Sequence, residues 1–593
     1  MSRLGYAVAA GAALCVQALA GVAQAAPRAT VEGTLDPTLR ETIQRAIGET
    51  DRPVENRFEA RRRARAAAED AIAVLRSEGY YAYVVEPEVG EGDTPTPVVK
   101  VEPGPRFAIA APKIDWMGEA PDAPVATAAN EALKLADGAP GRAADVVGAE
   151  GRAVSAVQKR GYADVQAQPR EVVVDHADKT VRPTYRIAAG KIVRLDGIDL
   201  VARGRTNPAW VNRLAPWRSG EAYDPEDVAE LERRLLDAGV YESVTVALAP
   251  AAQTTPEGLR PVVVSLAERK PHTIELGASF ASQEGFGLDA KWTRYNILGR
   301  ADTLALIGRL SNVDSKAAVE LSLPHWRRPN QTLKTSTGGY RTRTDAYDET
   351  GVGVRADVER RYGKTSYVTV GASVDLSRTD ELKPGTLTPL GRDLVTLGTL
   401  GDLVLDRSDD PLDPKRGWRV NARAEPTMIV GDTNLPYLKL QAQGTGYWPF
   451  GREARTVLAG RVKVGSIVNG TIPEIPASKR FFAGGGGSVR GYAYQAVGPR
   501  LSDGTPQGGS SLLEASAEVR HTISRRWGFA AFVDTGAIGT NHFPTTSDLA
   551  VGAGLGVRYN LGFGPLRLDV AAPLTHRRGE APFQIYVSIG QSF

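Results

Sequence analysis

The chain has 593 residues, which is too long for one hydrophobic core and predicts several domains. Its 72 Lys and Arg residues nearly balance its 69 Asp and Glu residues, and a net charge so close to zero argues against a nucleic-acid partner. The single cysteine, Cys15, excludes a fold built on intramolecular disulfides.

Residues 1–25 have the pattern of a secretory signal peptide. Arg3 precedes an apolar run, and Ala23-Gln-Ala25 forms a cleavage site. Cys15 lies inside this run, so the mature chain is expected to contain no cysteine. After residue 25 there is no stretch of about 18 apolar residues, and we therefore expect no transmembrane helix. A closed β-barrel is then the remaining way for this chain to span a membrane.

A repeat of about 80 residues, marked by Gly79, Gly161 and Gly239, fills residues 26–269. Each glycine follows a segment with helical apolar periodicity and stands where a helix end favours a left-handed residue. The third helix also has a clear start, since Asp224 can cap it and Pro225 suits its first position. Two strand-like runs follow each glycine.

The pattern of two helices and two strands, with one strand before them, predicts three small α+β modules. Three unrelated α+β domains are the alternative, which the equal spacing of the glycines disfavours. The exposed edges of such sheets can bind an extended chain by adding a strand. We place the modules at residues 26–105, 106–190 and 191–269.

From residue 270 to 593, apolar residues alternate with Gly, Thr, Arg and Asp at a period of two. Ile274 and Leu276, for example, share one face of a predicted strand. A β-sandwich has the same period, but it would not continue for so long behind a secretory signal. At about 20 residues per strand and connection, this region predicts about 16 strands. The last predicted strand has one apolar face, which we expect to point outward and which comprises Phe583, Ile585, Val587, Ile589 and Phe593.

A glycine-rich stretch interrupts this alternation at residues 481–492. Its four consecutive glycines, residues 484–487, do not suit a packed strand, because glycine has no side chain and loses the most backbone entropy when fixed. A charged residue, another glycine and an aromatic residue follow as Arg490, Gly491 and Tyr492. This order predicts a loop that folds back and positions one arginine.

The loop resembles the lid loop of the Omp85 superfamily of outer-membrane barrels. The family pattern is aromatic-x-Gly-Gly followed by Ser-x-Arg-Gly-Tyr/Phe, and its members here are Gly484, Gly485, Val489, Arg490, Gly491 and Tyr492. The Phe-x-Asp-x-Gly pattern of a family barrel strand is matched by Phe532, Asp534 and Gly536. Residues 296–300 and 406–417 resemble two family turns.

This resemblance implies that Arg490 lies inside the barrel against Asp534. The strand period supports that placement, because Asp534 lies on the face opposite Ala531 and Val533, and the apolar face must meet lipid. The family carries POTRA modules of βααββ form in the periplasm. The aromatic end of the apolar face, Phe593, resembles the sorting signal of outer-membrane barrels. The expected fold is therefore three POTRA-like modules followed by a barrel of about 16 antiparallel strands.

Three modules before the barrel most resemble the TamA subfamily, the translocation and assembly module subunit. That resemblance implies assembly of outer-membrane or autotransporter clients through a weak seam between the first and last strands. It also implies a TamB-like partner anchored in the inner membrane, contact with membrane lipid, and residence in the bacterial outer membrane with the modules in the periplasm. The alternatives are a general barrel-assembly protein with five modules, a two-partner secretion transporter with two, and a passive porin with none.

No catalytic or metal-binding pattern is found in the sequence. The six histidines are not spaced as a metal pair, and His521 has no accompanying nucleophile motif. Residues 484–487 are followed by neither the Lys-Ser/Thr pair nor the helix of a phosphate-binding loop. We therefore expect neither an enzyme nor a cofactor. The histidines are His176, His272, His325, His521, His542 and His576.

Overall fold

A computed structural model describes residues 26–593 apart from 92–94, 282–284, 364, 452, 563, 576–580 and 592. The predicted signal peptide and His576 lie outside the described residues. The chain divides into two compact units, of which the second contains residues 198–215, 230–246 and 263–593. In the described part of the chain, no helix is both long and apolar enough to cross a membrane.

The first module is a three-stranded sheet covered by two helices. Asp36 caps the first helix by accepting a hydrogen bond from the backbone N–H of Thr38 at 2.9 Å. Ile43, Leu75 and Val99 are buried between the helices and the sheet. The sheet order is β2-β5-β4, and the elements are β1 (Ala26–Pro27), β2 (Thr30–Glu32), α1 (Pro37–Ile47), β3 (Glu49–Thr50), α2 (Arg57–Ser77), β4 (Val84–Val89) and β5 (Pro97–Glu102).

The second module is built around one long strand, to which four shorter strands pair. Phe107, Tyr185 and Ile187 are fully buried in its core. The long strand is β10, and the elements are β6 (Ala108–Ile109), β7 (Lys113–Trp116), α3 (Ala123–Ala132), α4 (Ala143–Gln158), β8 (Gln166–Ala167), β9 (Glu171–Asp175) and β10 (Thr180–Ala188).

The third module repeats the order strand, helix, helix, strand, strand. Its elements are β11 (Arg194–Arg203), α5 (Pro208–Asn212), α6 (Pro225–Asp237), β12 (Tyr241–Leu248) and β13 (Leu259–Glu268), with sheet order β11-β13-β12. Asp224 accepts a hydrogen bond from the backbone N–H of Glu226 at 2.8 Å, as expected of a helix cap. Gly79, Gly161 and Gly239 all have positive φ, at 90°, 98° and 73°, which a helix end of this type requires.

Sixteen antiparallel strands of the described chain form a closed barrel, which confirms the predicted fold class. Each strand pairs with the next in sequence, and the last pairs with the first. The strands are β14 (His272–Ala281), β15 (Gly285–Tyr295), β16 (Thr303–Ser311), β17 (Asp314–Leu323), β18 (Gln331–Arg343), β19 (Tyr347–Tyr362), β20 (Ser366–Leu382), β21 (Pro389–Asp406), β22 (Gly417–Gly431), β23 (Leu435–Phe450), β24 (Thr456–Val468), β25 (Ser511–Thr522), β26 (Trp527–Gly539), β27 (Ala550–Asn560), β28 (Pro565–Pro573) and β29 (Gln584–Ile589).

Apolar side chains cover the outside of the barrel, as the period of two predicts. Ile274 and Leu276 on β14 are 70% and 80% exposed. On β29 and just before it the exposed residues are Phe583, Ile585, Val587 and Ile589, whereas Gln584 and Tyr586 are buried. The outer surface is therefore suited to lipid, and the polar side chains face the lumen.

The expectation that Phe593 continues this outward face is wrong. The strand ends at Ile589, and Gly590 has a φ of 89°, a conformation that turns the chain away from the strand direction. Phe593 packs instead against Tyr447, Val457 and Ala459. Its assignment to a sorting signal stays a prediction, but the outward placement used to support it does not hold.

Candidate functional site

The glycine-rich loop belongs to the segment 469–510 between β24 and β25, which we call the lid loop. Two isolated bridges, Phe481 to Gly509 and Ala483 to Val497, fold the segment back on itself. Val489 and Tyr492 are buried in a cluster that also contains the barrel residue Ile538. The lid loop is therefore packed against the barrel strands rather than extended into solvent.

Arg490 lies at the centre of this site and is 1% exposed. Its guanidinium donates two hydrogen bonds to Asp534 of β26, from Nε to Oδ2 at 2.6 Å and from Nη2 to Oδ1 at 3.0 Å. The backbone N–H of Arg490 also donates to Asp534 Oδ2 at 3.1 Å. The guanidinium carbon lies 3.3 Å from the ring centre of Phe532, which completes the site with a cation–π contact. The two residues that the resemblance pairs are thus adjacent in the structure.

Two further carboxylates contact the same guanidinium. Arg490 Nη1 donates to Glu518 of β25 at 2.8 Å and to Asp569 of β28 at 3.0 Å. Both carboxylates are fully buried. Three negative charges around one arginine would repel one another, and buried arginines on the wall offset them: Arg520 and Arg558 contact Glu518, while Arg558 and Arg567 contact Asp569. Removing any one member would therefore leave a charge without its partner in a region shielded from water.

Sequence reasoning did not find Glu518 or Asp569. Their alternation with apolar neighbours was available as a signal, because it places both side chains in the lumen. What the sequence could not provide is the register between strands, which puts Glu518 opposite Phe532 and places Asp569 within reach of the same arginine.

Glycines let the lid loop lie directly on the barrel wall. Gly491 has a φ of 100°, and a Cβ there would stand 2.8 Å from the backbone of Ala572. On the wall side, a Cβ on Gly552 would stand 1.9 Å from the carbonyl oxygen of Arg490, and one on Gly536 would stand 2.6 Å from Val489. Gly484, with a φ of 111°, would place a Cβ 2.4 Å from the carbonyl of Ala493. Gly485 also has a positive φ, at 98°. Larger residues would push the loop off the wall.

The lid loop also contacts the last strand of the barrel. The backbone N–H of Gly491 donates to the hydroxyl of Tyr586 on β29 at 3.2 Å, and that hydroxyl donates to the carbonyl of Tyr492. Tyr586 pairs across the seam with Ala281 of β14. The lid loop is therefore bonded to the strand that closes the barrel.

A second charged contact holds the beginning of the lid loop, and no sequence motif predicted it. Glu381 of β20 accepts from the backbone N–H of Ala477 at 2.6 Å and lies 3.3 Å from Arg480 Nη2. Its other oxygen lies 2.8 Å from Nε of Arg392 on the neighbouring strand β21. Lys479 donates to Glu349 of β19 at 3.0 Å. The lid loop is thus fixed to β19–β21 as well as to β25–β28.

The chemistry of this site is electrostatic positioning. Among the described residues, no group of three or more His, Cys, Asp and Glu side chains is arranged to hold a metal ion. The arginines and carboxylates form ion pairs with one another, and these pairs hold the backbone of the lid loop in place.

A closed barrel with an apolar outer face, α+β modules before it and a lid loop fixed within it by an arginine defines a class: the modular transmembrane β-barrels. A model of the Omp85 superfamily domain matches residues 296–593, half of the chain. The chain belongs to the Omp85 superfamily. It is an outer-membrane protein, with its N-terminal modules on the periplasmic side.

The chain is similar to two proteins named outer membrane protein assembly factor BamA. The one from Neisseria meningitidis serogroup B is 21% identical over 73% of this chain and 60% of the relative. The one from Neorickettsia risticii is 22% identical over 72% of this chain and 58% of the relative. The chain therefore spans about 60% of the length of these relatives.

The fold is also similar to a solved structure, that of BamA from Haemophilus ducreyi lacking POTRA domains 1–3. The match has a TM-score of 0.67 and 17% sequence identity, and covers 82% of this chain and all of the solved one. It supports the architecture of modules followed by a barrel.

Proposed function

We propose that this protein is an outer-membrane assembly factor that helps to insert or translocate β-barrel or autotransporter proteins through the seam between β14 and β29. The observation that carries the proposal is the seam itself. Within the described residues the register between β14 and β29 contains one pair, whereas β14 pairs with β15 at ten positions and β28 with β29 at six. A strand edge with few partners offers backbone N–H and C=O groups to an incoming strand.

The two relatives support the same role, since both are named outer membrane protein assembly factor. The finer proposal, membership of the TamA subfamily, rests on the three modules described in this chain. It carries with it a TamB-like partner reaching from the inner membrane, unfolded outer-membrane or autotransporter clients, and contact with membrane lipid. An enzyme activity is not part of the proposal.

A disulfide across the seam tests the assembly role. Cysteines replacing Ala281 and Tyr586 would join the seam pair of the described residues, and the mature sequence contributes no competing thiol. The matched control joins β18 to β19 through Thr335 and Ala356, which are paired away from the seam. Because Tyr586 also contacts the lid loop, the reduced double variant is the second control.

The readout is the folding of an urea-denatured outer-membrane barrel added to liposomes that hold the protein, followed by its heat-modifiable mobility on gels. We expect oxidation of the seam pair to abolish the acceleration of folding and reduction to restore it. Normal acceleration in the fully oxidised seam variant would overturn lateral opening. Co-purification of a TamB-like protein with the wild type tests the partner separately.

A further inference from the structure

The turn between β21 and β22, residues 407–416, has a fixed shape of its own, and we call it the strap. Asp409 Oδ1 accepts from the backbone N–H groups of Lys415 and Arg416 at 2.9 and 3.1 Å. Asp410 Oδ1 accepts from those of Leu412 and Asp413 at 2.7 and 2.9 Å. These aspartates hold the backbone as side chains of this type do in turns. The shape of this turn, which resembles a family turn in the sequence, is therefore set by hydrogen bonds within the turn itself.

The strap reaches the chain that follows the last barrel strand. The carbonyl of Leu412 accepts from the backbone N–H of Gln591 at 3.1 Å, and Asp413 Oδ1 accepts from the side-chain amide of Gln591 at 2.8 Å. The strands that carry the strap are the eighth and ninth of the barrel, whereas β29 is the sixteenth. Because these strands stand half a circumference apart, the contacts must cross the barrel mouth.

The end that the strap crosses is the periplasmic one. The strap follows β21, the eighth strand of the barrel counted from β14. In an up-and-down barrel, the turn after every second strand lies at the end where the first strand begins, which here directly follows the modules. Leu412 is 44% exposed, so the strap is open to solvent on one side. On its other side lies a cavity of about 420 Å³, lined by strap residues, Gln443, Tyr447, Gln591 and Phe593.

Gln591 is held from both sides. Its amide group donates to the strap, and its carbonyl oxygen accepts from Arg558 Nε at 3.0 Å. Arg520 donates to the carbonyl of Pro414 in the strap at 3.4 Å and to that of Phe593 at 3.0 Å. Both arginines also contact Glu518, a member of the charge cluster around Arg490. One continuous set of polar contacts therefore runs from the lid loop to the strap.

We propose that the strap is a gate at the periplasmic mouth of the barrel. Its bonds to Gln591 keep the lumen closed and hold the end of β29, and their release opens the lumen to ions and frees that strand end. This proposal does not depend on the client or on assembly activity, since a closed mouth and a held strand are properties of the barrel itself.

The first test is Gln591→Met in the full-length protein. Methionine keeps the length of the side chain and removes its hydrogen bonds to Asp413 and Arg558. We expect the mean conductance in planar bilayers to rise several-fold and backbone hydrogen exchange to accelerate in residues 407–416 and 584–591. The matched control is Gln443→Met, because Gln443 lines the same cavity and its side chain makes no hydrogen bond to any of the described residues. Equal conductance in the two variants would overturn the gate.

A reversible lock provides the second test. Cysteines at Asp413 and Gln591 would link the strap to the chain end, again without a competing thiol in the mature sequence. Conductance should fall below that of the wild type on oxidation and exceed it on reduction, because the reduced variant lacks the native bonds. Failure of the bridge to form, or wild-type conductance in the oxidised protein, would contradict the proposal.

Discussion

Two arginine–aspartate pairs in this molecule share one chemistry and differ in burial. In both, the guanidinium makes two hydrogen bonds to one carboxylate: Arg490 to Asp534 in the barrel, and Arg260 to Asp164 between the second and third modules. Asp534 has a side-chain exposure of 1%, whereas that of Asp164 is 40%. The side chains of Arg490 and Arg260 are both buried, at 2% and 4% exposure, so the pairs differ on the aspartate side: water can solvate Asp164 when its arginine is removed, but it does not reach Asp534.

The largest expected effect comes from Arg490→Ala. It leaves Asp534, Glu518 and Asp569 without their shared cation, and we expect a loss of about 3–5 kcal/mol in the free energy of unfolding. Arg260→Ala, the matched variant, should lose about 1 kcal/mol or less because Asp164 is solvated. Urea titration of the heat-modifiable band in detergent or vesicles measures both. Similar losses in the two variants would mean that burial does not set the strength of these pairs.

Arg490→Lys tests the geometry of the same contact. Lysine keeps the charge but not the planar fork that binds Asp534 with two hydrogen bonds. We expect a stability between those of Arg490→Ala and the wild type. Full recovery with lysine would show that charge alone is sufficient.

Glu381→Gln should have the next largest effect. Glutamine can still accept the hydrogen bond from Ala477, but it removes the negative charge between Arg392 and Arg480. We expect a loss of about 1.5–3 kcal/mol, the range for a hydrogen bond to a charged group, together with faster proteolysis of the lid loop from its beginning. Unchanged proteolysis would show that this second contact does not hold the loop.

The smallest effect is expected for Asp164→Asn, because the amide oxygen can still accept a hydrogen bond from the buried Arg260, and the effect depends on pH. The hydrogen bonds from Arg260 hold the pKa of Asp164 below its ordinary value. A lowered folded-state pKa stabilises the protein at pH values above the unfolded pKa of about 3.9, and this stabilisation is lost as pH falls through the folded value. The difference in hydrogen exchange of the modules between the wild type and the variant should therefore be largest at pH 7 and shrink as the pH falls below about 3.9. A difference that does not shrink in this range would exclude the ionisation of this carboxylate as the cause.

The architecture could be predicted from the sequence because the modules and the barrel each repeat one local pattern. Gly79, Gly161 and Gly239 mark helix ends that need a left-handed residue, and the alternation that begins with Ile274 and Leu276 separates lipid from lumen. Family resemblance added the pairing of Arg490 with Asp534. These features depend on residues close in sequence or on a shared motif.

What the sequence did not show depends on contacts between distant strands. Glu518 and Asp569 reach Arg490 only because the barrel closes with a particular register, and Glu381 meets Arg480 only because the lid loop folds back into the barrel. Phe593 was misplaced because the period of two was extended through Gly590, whose positive φ ends the strand. Neither register nor the direction of such a turn can be read from alternation.

A double-mutant cycle on Arg490 and Asp534 measures whether their contact anchors the lid loop. Within the described residues the hydrogen bonds of Asp534 all come from Arg490, so either single alanine variant already removes their interaction. We predict that the double variant is no less stable than the worse single variant, with a coupling free energy of about 3 kcal/mol or more. A double variant that shows the full sum of both single losses would mean that the two residues act independently, and the anchored lid loop would be contradicted.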